Sequence, residues 1–149
     1  MAGQFLIRRD VGSLLNIEFS ESTQPSSAEV ESAIEDIESE VLGSINVARL
    51  AVPTKALNPI SYNIVKNIVL DGVAARTQAM YAGNVMGLTP REELFLSRYH
   101  EGRDKIEASP RFLPDATDLT SDADTDIRSA FLDDSGLQHA LKHEMGQVY

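Results

Sequence analysis

The sequence predicts an all-α fold, a small helical bundle with an extended C-terminal arm, and three observations predict it. Two capping boxes, Ser26 with Glu29 and Thr89 with Glu92, mark helix starts where each side chain satisfies a backbone N–H left unpaired by the helix. Asn58-Pro59 is a third start signal, an N-cap followed by a first-turn proline. Behind each start, apolar residues recur at helical spacing, which leaves little room for a sheet.

Taken in order, Asp10 to Leu15 is a short helical candidate with Val11, Leu14 and Leu15 on one side. The polar run Ser20–Ser27 reads as a loop. From Ser26, residues Val30, Ala33, Ile34, Ile37, Val41 and Leu42 form an apolar stripe, and Gly43 is the expected terminator. The connection 45–57 contains a short extended piece, because Pro53 restricts Val52. The helix from Pro59 to Gly83 carries Ile60, Ile64, Val65, Ile68, Val69, Val73, Ala74 and Met80. Apolar residues occupy more than half its circumference. Such a helix is either the centre of its own domain or buried from two sides, one of them another subunit. The third long helix starts at Pro90, with Leu94, Phe95, Tyr99 and Ile106 expected inside, and ends by Pro110. The short link before it predicts an antiparallel pair. Residues 1–108 therefore form the helical core. Residues 109–149 form an arm in which small apolar clusters alternate with Asp, Ser and Gly, a pattern that suits ordering on a partner.

The chain has 149 residues, a formal charge of −10, and no Cys or Trp. That length suits one domain. Without cysteine there is no disulfide scaffold, thiolate nucleophile or Cys-based zinc site. The acidity argues against a protein that grips phosphate backbones. No apolar run approaches the roughly 20 residues of a membrane span. In MAGQFLIRRD the charges follow the apolar patch, the reverse of a secretory signal, so an intracellular protein is expected. Charge is also unevenly placed. Glu18–Glu40 holds eight acids and no base, the centre is nearly balanced, and Ser109–Tyr149 holds eight acids and three bases. Such blocks are usually solvated faces, or faces shaped to repel DNA or meet a basic partner.

A search for chemistry finds no active site, so no enzyme activity and no cofactor are expected. His139 and His143 share a helical face, but no third metal ligand accompanies them. Asp122, Asp124 and Asp126, with Asp133 at the twelfth position, partly mimic a calcium loop. Ile127 stands where that loop needs glycine, and the last ligand is a short Asp. No phosphate-binding glycine pattern or nucleophile elbow is present.

The short leading helix Val11–Asn16, the acidic loop, the pattern Ala28–Val41, the Val52-Pro53 linker and the apolar helix from Asn58-Pro59 carrying Val65, Ile68, Val69, Ala74, Ala75 and Arg76 together resemble the head–tail connector, or adaptor, proteins of tailed bacteriophages. The resemblance covers roughly residues 5–108 and rests on helix pattern, not on a catalytic signature. It implies a virion neck protein, made in the host cytoplasm, that assembles as a homo-oligomeric ring, usually of twelve copies. The portal protein would lie on one face and a stopper or tail-terminator on the other. DNA would pass through without specific binding. The segment from Pro110 to Tyr149 would dock on the portal through Phe112, Leu113, Phe131, Leu132, Leu137, Leu141 and Tyr149. Ile64, Ile68, Val69 and Val73 would pack against a ring neighbour, and Glu31, Glu35, Asp36 and Glu38 would line an acidic lumen or rim. The rivals are another phage neck or tail-completion protein, a small terminase-like DNA-packaging protein, and a metal-dependent factor built on His139, His143 and the Asp cluster. The terminase reading needs a basic patch, and its best stretch, Arg98–Lys105, is interrupted by Glu101 and Asp104.

Overall fold

In a computed structural model, residues 3–82 and 89–119 are described. Four α-helices account for most of them: α1 (Arg8–Leu15), α2 (Ser27–Val47), α3 (Pro59–Ala82) and α4 (Pro90–Ala108), followed by a 3-10 turn at Pro110–Phe112. The described residues form no sheet, so the fold is an all-α bundle.

Both capping boxes form. Ser26 Oγ accepts from Glu29 N at 3.4 Å and Glu29 Oε2 accepts from Ser26 N at 2.7 Å. The Thr89–Glu92 pair repeats this at 3.3 and 2.9 Å. Helix α2, however, does not stop at Gly43. It continues to Val47 because Ile45 is buried, and that burial outweighs the roughly 1 kcal/mol helix penalty of glycine. Its actual end is a Schellman turn. Arg49 adopts φ 56°, its N–H reaches the Asn46 carbonyl, and Leu50 N–H reaches the Ile45 carbonyl.

Helix α3 is the centre of the bundle. Val65, Ile68, Val69, Val73, Ala74 and Ala75 are all buried among Val30, Ile34, Ile37 and Val41 of α2 and Phe95, Tyr99 and Ile106 of α4. Two glycines set the closeness of the α3–α4 packing. A Cβ at Gly72 would lie 2.6 Å from the Tyr99 ring, and one at Gly102 would lie 2.6 Å from Ile68. These contacts pair rising numbers on α4 with falling numbers on α3, so the two helices are antiparallel. Helix α1 lies across both α2 and α3, where Arg8 pairs with Glu31 and Lys66 with Asp10.

This arrangement corrects several expectations. Ile68, Val69 and Val73 are enclosed by the chain's own helices and present no face to a neighbour; Ile64 is half-buried against the same core. Leu94, expected inside, is 48% exposed, because the inner stripe of α4 runs through Phe95, Tyr99, Gly102 and Ile106, and Leu94 sits one residue off it. The packed unit extends past residue 108 to Thr117. Leu113 is buried in the core and Phe112 packs against it, so neither belongs to a free arm. Phe131, Leu132, Leu137, Leu141 and Tyr149 lie outside the described residues, as do Asp122, Asp124, Asp126, His139 and His143.

Glu38 is the fourth correction, since it faces inward at 6% exposure. Its carboxylate accepts the backbone N–H groups of Gln4 at 2.8 Å, Phe5 at 2.8 Å and Leu6 at 3.0 Å. That pins the N-terminal segment to α2 and lets Phe5 and Leu6 enter the core. Replacing Glu38 by Ala strands buried donors whose loss of partners costs about 3 kcal/mol. Urea denaturation of Glu38→Ala should show a correspondingly lower midpoint; an unchanged midpoint would contradict this role.

Candidate docking surface

The remaining acids of α2 are largely met inside the chain. Glu31 pairs with Arg8 at 3.3 Å and Asp36 with Arg76 at 3.2 Å. Glu40 lies 3.6 Å from Arg76 and 3.4 Å from Arg103. Glu35 and Asp36 stay on the exposed face. The Glu18–Glu40 block is therefore less negative in the fold than in the sequence. Exposed pairs of this kind add about 0–1 kcal/mol each to stability, so their main effect is on the surface field.

Between α2 and α4 a polar seam runs along the bundle. Tyr99 donates its hydroxyl to Glu40, Arg103 bonds Ser44 Oγ at 3.0 Å, and Ser44 donates to Glu107 at 2.7 Å. Burial pushes the Tyr99 phenol well above its usual range, and the hydrogen bond to Glu40 pushes it further. The hydroxyl therefore stays a donor. Tyr99 and Glu40 of this seam also line a cleft of about 320 Å³, together with Ile37, Gly72, Ala75 and Leu96. His100 is exposed and packs on the Tyr99 ring at 5.4 Å. Among the described residues, no group of three or more metal-ligating side chains comes together.

The other end of the bundle is built differently. After α4, the chain folds back over the start of α3. Asp115 Oδ2 accepts from Ile60 N at 2.9 Å and Oδ1 accepts from Ser61 N at 2.7 Å. These are the orphan donors of the first α3 turn, where a carboxylate is also favoured by the helix dipole. Asn58 Nδ2 donates to the Asp115 carbonyl, and Ala51 N donates to the Thr117 carbonyl at 2.8 Å. The Asp115 carboxyl is raised by partial desolvation, but the hydrogen bonds from Ser61 and Ile60 outweigh this and hold it below its usual range.

Around this latch the chain leaves apolar side chains uncovered. Val47 is 67% exposed, Val52 39%, Leu57 80% and Ile60 57%, all on the α2–α3 connection or the adjoining helix turns. The same stretch lies in the longest acid-free segment of the chain. From Val41 to Leu70 there is no Asp or Glu, and Arg49, Lys55 and Lys66 are present. Lys66 pairs with Asp10; Arg49 and Lys55 have no ion-pair partner among the described residues. An apolar, weakly basic end on an acidic protein is suited to contact with another protein segment.

Sequence reasoning passed over this surface, reading the connection as extended backbone. The missing acids between residues 41 and 70 were its visible signal. Asp115 had no local signal, since its partners lie some fifty positions away. No family model matches the chain, and no curated protein and no solved structure matches it either. Among the described residues, no helix is long and apolar enough to cross a membrane.

The latch makes stability acid-sensitive in a defined direction. Because the folded pKa of Asp115 lies below its ordinary value of 3.8, its contribution is full above that value and is lost as pH falls through the folded value. Asp115→Asn should lower stability at neutral pH and flatten the dependence on pH below about 4. Thermal melts across this range would test it; an acid limb identical to wild type would show that Asp115 does not carry the effect.

Proposed function

We propose that this chain is a structural virion subunit of a tailed bacteriophage, a head-to-tail adaptor that forms a ring between the portal and the stopper or tail. The observation that carries the reading is the apolar, acid-free end formed by Val47, Val52, Leu57 and Ile60, the largest group of exposed apolar side chains among the described residues. A surface of this kind suits protein–protein assembly better than small-molecule chemistry. The resemblance of residues 5–108 to connector proteins supplies the kind of assembly.

The fold revises which residues would do the work. The ring contact moves from the buried α3 face to the α2–α3 connection and the exposed Leu94. The portal-docking arm starts after Thr117, leaving Phe131, Leu132, Leu137, Leu141 and Tyr149 as its anchors. Glu35 and Asp36, with Glu31, stay as the wall or rim acids, whereas Glu38 leaves that set. The pairing of Glu31 with Arg8 and of Asp36 with Arg76 weakens this wall, so DNA would meet a mildly acidic surface that does not hold its phosphates. The terminase-like alternative loses support: of its base-rich stretch, Arg103 is paired with Glu40 and Lys105 with Glu101.

Electron microscopy of the purified protein, alone and mixed with the portal of the same phage, tests the reading. Rings that sit on the portal are expected; a protein that stays monomeric and ignores the portal would refute it. Truncation sharpens the test. Ending the chain after Thr117 should leave the thermal melt intact while abolishing portal attachment. Ending it after Ala108 should lower the melting temperature, because Leu113 and the Asp115 latch are lost.

A further inference from the structure

The end of the bundle that exposes apolar residues is also the end from which the chain continues. Thr117 is held against Ala51, the neighbour of Val52, by the bond between Ala51 N and the Thr117 carbonyl at 2.8 Å. Beyond it lie residues 118–134, which carry six acids and one base, Arg128. The same stretch includes Leu119, Ile127, Phe131 and Leu132. Its composition complements the surface: its apolar residues match Val47, Val52, Leu57 and Ile60 in kind, and its Asp residues are opposite in charge to Arg49 and Lys55.

We propose that residues 118–134 of one copy dock on the α2–α3 connection of a second copy. The other described residues leave the surface uncovered, with Leu57 80% exposed and Val47 67% exposed. A neighbouring copy can therefore supply what the chain leaves off itself. Because each subunit carries both the arm and a separate receiving surface, every copy gives one arm to the next and accepts one from the copy before. Such a head-to-tail contact closes into a ring without leftover ends when the rotation closes. The Asp122–Asp126 cluster then serves as the counter-charge for a basic connection. Phe131 and Leu132 thereby pass from the portal-docking set to the contact between copies, and the distal clusters at Leu137, Leu141 and Tyr149 are left for the portal. The proposal rests on the ring reading and names the contact that would hold it.

The test uses full-length chains. Nitrogen-14 and nitrogen-15 protein are mixed in equal amounts under unfolding conditions, refolded and treated with a carbodiimide, which joins lysine to carboxylate at zero length. Links from Lys55 to acids in residues 118–134 are expected, and roughly half of them should join the two labels. Leu57→Asp, a change at an exposed position, should reduce these links several-fold with the circular dichroism spectrum unchanged. Links confined to a single label would overturn the proposal in favour of docking within the same chain. Absence of Lys55 links while mass photometry still shows rings would overturn it and leave the ring reading standing. Absence of both links and rings would overturn both.

Discussion

Helix α3 has apolar residues around most of its circumference, and no stable monomer can leave such a helix against water. The rest of the structure follows from that constraint. Helices α2 and α4 close two sides, α1 crosses a third, and Leu113 comes back from beyond α4 to help seal the core. Gly72 and Gly102 are the steric condition for this enclosure, since any Cβ there would meet Tyr99 or Ile68. With α3 satisfied internally, any contact with another protein would fall to the ends and edges of the bundle. That is why the exposed α2–α3 connection, not the greasiest helix, becomes the docking candidate.

Two carboxylates finish what apolar burial begins. Glu38 holds the N-terminal segment through three backbone donors, and Asp115 holds the C-terminal segment at the first turn of α3. Each solves the same problem, backbone N–H groups that no helix partner can reach. Their positions also decide the polarity of the molecule. The Asp115 latch brings the end of the packed unit to the connection that carries Val52 and Leu57, so the chain leaves the bundle beside its most apolar exposed surface.

The parts of this fold legible in the sequence are those governed by neighbours in sequence. Both capping boxes, the proline start of α3 and the inner positions Phe95, Tyr99 and Ile106 rest on local spacing, and they stand as expected. Gly43 misled because burial of Ile45 overrides a local propensity, and the true helix end used Arg49 in a position usually given to glycine. Leu113 and Glu38 were illegible for a different reason. One looks like part of a polar arm and the other like one of many surface acids, and only partners far along the chain reveal that both are buried. Excess apolarity in α3 was visible, but whether one chain or two would cover it depends on helix packing that spacing alone does not specify.

The central claim is that α3 is covered by its own chain. Amide hydrogen exchange of the full-length protein, followed across α3 at low and high protein concentration, tests it most directly. The account predicts that amides from Val65 to Ala75 exchange most slowly of all and at rates independent of concentration. Protection of those amides that fades on dilution would show that a second copy covers the helix, and would contradict it.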